Sequence, residues 1–262
     1  MSKKIALLVS YLGCGYFGFQ LQKEKMTVER VLLNVLSEAK LLNENQRLEF
    51  ASRTDTGVHA LCQVVSFLPR KSFEPSDIDN LNSLLPDNIK IWGYSYVDKS
   101  FNPRYDALYR HYVFLKPYEG ENVLLMNAFA KFFLGQHDFR KFIIRPVPKN
   151  TFRRVYQITC NVWRDFLRID VVGRSFARGM IKSIVSALLI SSINKNFIYK
   201  FRYLASPISR TIFPIPKKKY GTGLILFDVC YPSDVSFIKI ENIRNYMFRK
   251  IVEYISGYIE GC

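Results

Sequence analysis

The chain has 262 residues, 48% of them hydrophobic, enough for a sizeable core in one large or two modest domains. Its 38 Lys and Arg against 22 Asp and Glu leave a net charge of +16 and a pI near 9.6, which fits a polyanionic partner such as nucleic acid, although solubility or a membrane surface also accounts for it. The scattered cysteines (Cys14, Cys62, Cys160, Cys230, Cys262) form no C-x-x-C pair, which argues against a disulfide framework or a cysteine zinc site and favours a reducing compartment, the cytoplasm; no apolar run approaches the ~20 residues of a membrane span.

In chain order, Met1-Ser2-Lys3-Lys4 ahead of Ile5-Ala6-Leu7-Leu8-Val9 imitates the start of a signal peptide. The apolar run falls short of the roughly 7–15 residues of an h-region, so residues 5–10 read better as a central strand. Gly13, Gly15 and Gly18 then punctuate an aromatic-rich loop. They spell G-x-G-x-x-G, but no clear amphipathic helix opens behind them, so a nucleotide cradle is a weak reading. Thr27 is an N-cap candidate for a helix whose Val28, Val31, Leu32, Val35, Leu36 and Ala39 recur at helical spacing.

A short strand near Leu48 and another at residues 63–68 bracket Ala51-Ser52-Arg53-Thr54-Asp55-Thr56-Gly57-Val58-His59-Ala60. This is a loop between rigid elements, where scaffolds display chemistry. Gly57 allows a tight reversal after Asp55, and Arg53 and Asp55, two apart, point the same way in extended backbone. The same wording is also ordinary turn chemistry, with Asp and Thr side chains bonding nearby amides.

A second helix opens at Pro75-Ser76-Asp77 and stops at Pro86, and residues 89–97 and 108–115 read as strands. Lys116-Pro117-Tyr118-Glu119-Gly120 is the expected domain boundary. A helix over 123–134, closed by Gly135, precedes His137 and Asp138, which read as local structure more than as a catalytic pair. Residues 155–163 and 166–172 form a hairpin, and a helix over 175–190 gathers Ser175, Arg178, Lys182 and Ser186 on one side. Segment 194–220 is basic and aromatic, either RNA-facing or a solvated loop. Strand 224–231 and an amphipathic helix using Ile240, Ile243, Met247, Ile251 and Tyr254 follow.

The wording R-T-D-x-G-V-H-A closely resembles the signature of the TruA family of tRNA pseudouridine synthases, and six further stretches resemble that family in order. Residues 11–22 (YLGCGYFGFQLQ) are similar to its opening Y-x-G-x-x-[YF]-x-G-x-Q-x-Q, and Leu81-Asn82-Ser83-Leu84-Leu85-Pro86 to L-N-x-L-L-P. Phe101, Arg104, Ala107, Arg110 and Tyr112 match F-x-x-R-x-x-A-x-x-R-x-Y, and Gly135-Gln136-His137-Asp138-Phe139 resembles G-x-H-D-F. Ser175-Phe176 with Met180-Ile181-Lys182 resembles S-F-x-x-x-M-[VI]-[RK], and Gly223-Leu224-Ile225-Leu226 resembles G-L-x-L. Each is weak alone; together, in this order, they are specific. Leu12, Phe19, Thr56 and Lys182 depart from the commoner residues.

The resemblance implies an α+β pseudouridine synthase fold, two α+β subdomains (1–116 and 117–262) sharing an extended, mostly antiparallel sheet with a basic cleft between them. It implies tRNA as partner, the anticodon arm as target, no cofactor and no metal, and Asp55 as the catalytic carboxylate. Such chemistry takes the base out of the stack and needs a carboxylate acting at C6 of the base or C1′ of the ribose. Arg53 is implied to enter the vacated stack and hold the backbone, Lys182 to keep Asp55 ionised, Tyr112 to stack on the flipped base and Leu224 to close an apolar wall. Bacterial members are homodimers and eukaryotic relatives can be monomers or nuclear; the sequence does not choose. On the residues alone, a non-catalytic RNA-binding protein stays open. An acid-dependent nuclease lacks a second carboxylate near Asp55.

Overall fold

The structure is a computed structural model that describes residues 3–144, 146–193 and 223–257. Strand β1 (Lys4–Tyr11) is buried along its whole length, so it reads as an unbroken apolar run without alternation. Helix α1 (Val28–Glu38) starts where the Thr27 hydroxyl accepts from Arg30 N at 3.3 Å. Strands β2 (Glu49–Phe50) and β3 (His59–Phe67) follow. All of β3 is buried, and it begins at His59, four residues before the 63–68 stretch read as a strand from the sequence. Helix α2 (Asp77–Leu84) opens with the Asp77 carboxylate accepting from Glu74 N at 2.8 Å, and β4 (Ile89–Val97) spans the predicted residues.

The middle of the chain holds β5 (Tyr109–Pro117), α3 (Val123–Ala130), β6 (Gly135–Asp138), β7 (Phe152–Trp163), β8 (Phe166–Gly173) and α4 (Met180–Ile193). β9 (Leu224–Cys230), β10 (Ile238–Lys239) and α5 (Glu241–Ser256) complete the described elements. Two helices differ from expectation. α3 ends at Ala130, a 3₁₀ turn at Lys131–Phe133 tightens the chain, and Gly135, at φ +93°, opens β6 where a helix cap was predicted. α4 begins at Met180 because Gly179, at φ +74°, interrupts the helical backbone before it. Ser175 and Arg178 therefore precede the helix, and Ser186 is buried with its hydroxyl on Lys182 O at 2.9 Å, so no solvated polar face forms.

The chain divides into two compact units, Met1–Leu108 with Ile225–Cys262, and Tyr109–Leu224. The predicted division at 116/117 differs at both ends. Lys116 is buried and ion-paired with Glu121 and Glu119, and Tyr118 N donates to Asp165 O at 2.8 Å, which ties this segment into the second unit. The C-terminal residues return to the first unit because α5 buries Met247, Ile251 and Ile255 there and Arg244 lies over the Trp92 ring at 5.4 Å.

In the first unit the strands run β10-β4-β1-β3-β9, with β2 on β3; β3 and β9 are parallel and the other pairs antiparallel. In the second the order is β5-β8-β7-β6, all antiparallel, with α3 packed on β7 and α4. Both are α+β with mostly antiparallel sheets, as the fold class anticipates. Segment 194–220, read from the sequence as RNA-facing or a solvated loop, lies outside the described residues.

Lys116 supplies a stability test. Glu121→Gln removes its closest carboxylate and leaves the Glu119 carboxylate beside the buried ammonium. The expected loss is about 2 kcal/mol by denaturant titration, less than the roughly 3–5 kcal/mol of a fully orphaned buried charge.

Candidate active site

The residues singled out by sequence fall in both units: Arg53 and Asp55 in the first, Tyr112, Lys182 and Leu224 in the second. In the first unit, residues 52–55 run without regular structure out of β2, and their burial alternates. Thr54 is buried, with its hydroxyl sharing a 2.7 Å hydrogen bond with the Tyr11 hydroxyl, while Arg53 is exposed and Asp55 half-buried. The alternation turns Thr54 inward and its two neighbours outward, as extended backbone requires. A turn follows in which Val58 N donates to Asp55 O at 3.1 Å, with Gly57 at φ +74° in the third position, where a side chain would be strained.

The loop is gripped at its entrance and along its back. Gln63 on β3 brackets Ser52, accepting from its N–H at 3.1 Å and donating to its carbonyl at 2.7 Å. Phe19 N donates to Thr54 O at 3.1 Å. A β-carbon on Gly13 would lie 2.1 Å from Val58 O, and one on Gly18 2.7 Å from Thr54 O. The glycine spacing that resembled a phosphate cradle is therefore used for close backbone approach to the Asp55 loop.

His59, the first residue of β3, is fully buried, and its Nδ1 accepts from Gly13 N at 3.2 Å. That bond fixes the proton on Nε2, which has no hydrogen-bond partner among the described residues; the ring meets Tyr254 edge-on at 5.3 Å. Burial pushes the imidazole pKa down to about 4, so the ring is neutral at physiological pH. Sequence reasoning assigned nothing to His59, Gln63 or Tyr11. His59 and Tyr11 lie within the quoted motifs, and the Gln63 amide stood alone among apolar neighbours; these were the available signals. Beside the loop, burial pushes the Glu29 carboxyl up, opposed by a hydrogen bond from Leu21 N and by the charges of Arg47 and Arg53.

In the second unit Tyr112 is 5% exposed on β5 and meets the Phe176 ring edge-on at 5.6 Å. Arg110, two residues earlier and also buried, donates from Nη1 to Arg174 O at 2.7 Å, fixing the chain that leads to Phe176. Lys182 is half-buried in the first turn of α4. Leu224 is buried at the start of β9, held there by Leu115 N donating to Gly223 O at 2.9 Å. Among the described residues no group of three or more His, Cys, Asp or Glu side chains is placed to hold a metal ion, and no helix is long and apolar enough to cross a membrane.

A family model described as tRNA pseudouridine synthase matches residues 7–106 and 129–232. The chain is 32% identical over 264 residues to a tRNA pseudouridine synthase A of Methanococcoides burtonii, covering 98% of this chain and 91% of that protein. The chain belongs to the TruA family of tRNA pseudouridine synthases. It is an isomerase of that class. A TruA-family relative from Archaeoglobus fulgidus, also named tRNA pseudouridine synthase A, is 32% identical over 98% of this chain and 92% of its own length. Among solved structures, one of a Cbf5-Nop10-Gar1 complex matches with a TM-score of 0.37 and 14% identity, covering 69% of this chain and 44% of that one.

Two outcomes follow for this TruA-family chain. Gly13→Ala forces the backbone at Val58 to shift, and a misplacement near 1 Å lowers kcat on tRNA about 10²-fold, read in a single-turnover assay. His59 carries a linkage: its folded pKa lies below the unfolded value of 6.5, so its contribution to stability is complete above pH 6.5 and is lost as pH falls toward 4. The loss integrates to roughly 3 kcal/mol. His59→Asn, which keeps an acceptor for Gly13 N and does not titrate, flattens the unfolding free energy across that range.

Proposed function

We propose that the chain converts uridine to pseudouridine in the anticodon arm of tRNA, with the Asp55 carboxylate as nucleophile and no cofactor. The observation that supports this most is the seating of Asp55: a half-buried acid on a loop whose backbone is gripped at Ser52, Thr54 and Val58. A nucleophile needs such fixed aim, because orientation supplies much of the rate.

In the isomerisation the N1–C1′ glycosidic bond breaks, the base rotates, a C5–C1′ bond forms, the C5 proton passes to solvent and N1 takes up a proton in its place. Asp55 attack at C6 of the base, undone when the carboxylate is eliminated, or at C1′ of the ribose, undone when C5 displaces it, satisfies the same balance and returns the free carboxylate. Around it we assign Arg53 to the RNA backbone at the vacated stack, since a guanidinium both stacks and forks. Tyr112 stacks on the flipped base, Lys182 favours the ionised carboxylate and Leu224 supplies an apolar wall. These four roles rest on the family resemblance, and in Lys182 the chain carries an ammonium where Arg is commoner, giving a point charge in place of a fork.

The test is tritium release from tRNA transcripts labelled at uridine C5, either throughout or in the anticodon arm alone. Wild type frees tritium from the arm-labelled transcript, and Asp55→Ala and Asp55→Asn slow release on the order of 10³-fold or more. An Asp55→Asn protein that keeps a tenth of the wild-type rate would remove the carboxylate from the mechanism. Release only from transcripts labelled outside the arm would move the target site.

A further inference from the structure

Strand β7 turns an aromatic, an arginine and a second aromatic toward solvent. Phe152, Arg154 and Tyr156 occupy alternate positions and all are exposed, the rings to 54% and 46%. At the rise of a strand the Phe152 and Tyr156 backbones lie at most about 13 Å apart, with Arg154 between them. Tyr156 is the extra residue of a bulge: Val155 pairs with Gly173 and Gln157 with Val172, leaving Tyr156 with no cross-strand partner on β8. Bulges re-aim a side chain, and they are over-represented beside functional sites.

The neighbouring strands complete the feature. A β-carbon on Gly173 would lie 2.9 Å from Arg154 O, and the close approach that glycine permits lets Arg174 N donate to that carbonyl at 3.1 Å. Gln136 on β6 lies directly across from Arg154. Phe152, Arg154, Tyr156, Gln136 and Arg174 line one groove of about 270 Å³, and no acid is among the residues lining it. Among the described residues neither the Arg154 nor the Arg174 guanidinium has a hydrogen-bond or ion-pair partner.

We infer that this groove is a platform for an unpaired stretch of tRNA, with bases stacked on Phe152 and Tyr156 and a phosphate between them held by Arg154 and Arg174. Every base offers a π face to such rings, and a guanidinium matches phosphate oxygens with paired donors. A second copy of this chain is a poorer occupant, because a self-complementary contact sets arginines against arginines with no acid in the groove to relieve them. The inference rests on tRNA being the substrate.

The experiment reads binding, not turnover, and uses full-length Asp55→Ala protein with a fluorescently labelled, unmodified tRNA transcript in anisotropy titrations. In that background Phe152→Ala with Tyr156→Ala weakens binding about tenfold or more, and Phe152→Tyr with Tyr156→Phe, which keeps both rings, stays within about twofold. Arg154→Ala and Arg174→Ala each make the log–log salt dependence shallower by about 1. Unchanged affinity and salt slope in these variants overturn the inference. So does a fall in sedimentation mass with affinity unaltered, which would make the groove a contact between copies. If Asp55→Ala protein binds no tRNA at all, the substrate reading fails first, whatever the groove does.

Discussion

The backbone of residues 54–58 lies so close to that of residues 13 and 18 that neither position has room for a β-carbon, and much of the first unit follows from that contact. It needs glycine at two places, a buried Thr54 hydroxyl meeting Tyr11, and an acceptor for Gly13 N that His59 supplies. It also explains why the catalytic candidate sits next to the central strands. β1 delivers Tyr11 and the glycine loop, β3 delivers His59 and Gln63, and the two pair with each other. Asp55 is thus aimed by main-chain contacts, which hold tighter tolerances than a network of long side chains.

The second unit separates its polar groups into two kinds. Inside, Asp170 and Lys116 are matched by opposite charges. Asp170 accepts from Arg168 at 2.8 and 2.7 Å and is bonded to His111 at 2.7 Å; burial pushes its carboxyl up, and these bonds outweigh burial, so its pKa ends low. Lys116 is met by two glutamates. Outside, Arg154 on β7 and Arg174 after β8 stand beside exposed rings, with no carboxylate among the residues lining their groove.

Long elements with one strong period were legible from residues alone. β4 spans the predicted 89–97, and α1 begins at its Thr27 cap. The hairpin of β7 and β8 turns at Arg164, in the left-handed region at φ +53°. Elements set by contacts were not legible. The first residues of β3 pair with β1 and β9 yet show no alternation, being buried on both faces. β6 is exposed throughout and only four residues long, so neither burial nor length marked it. The start of α4 depended on the φ of one glycine. The glycines at 13, 15 and 18 were visible as spacing, but their use was not, because a phosphate and a neighbouring main chain call for the same absence of a side chain.

By itself the sequence determined the family and the α+β class and marked Asp55 as the catalytic candidate, since motif order and hydrophobic period are properties of the chain read locally. Only the tertiary structure decided which main-chain segments grip that acid, that His59 is a neutral buried acceptor, that the C-terminal helix belongs to the first unit and that three alternate residues of β7 share one groove. Each of those depends on which residues distant in sequence come within a few ångströms of one another. Composition and spacing along a single chain carry no measure of that distance.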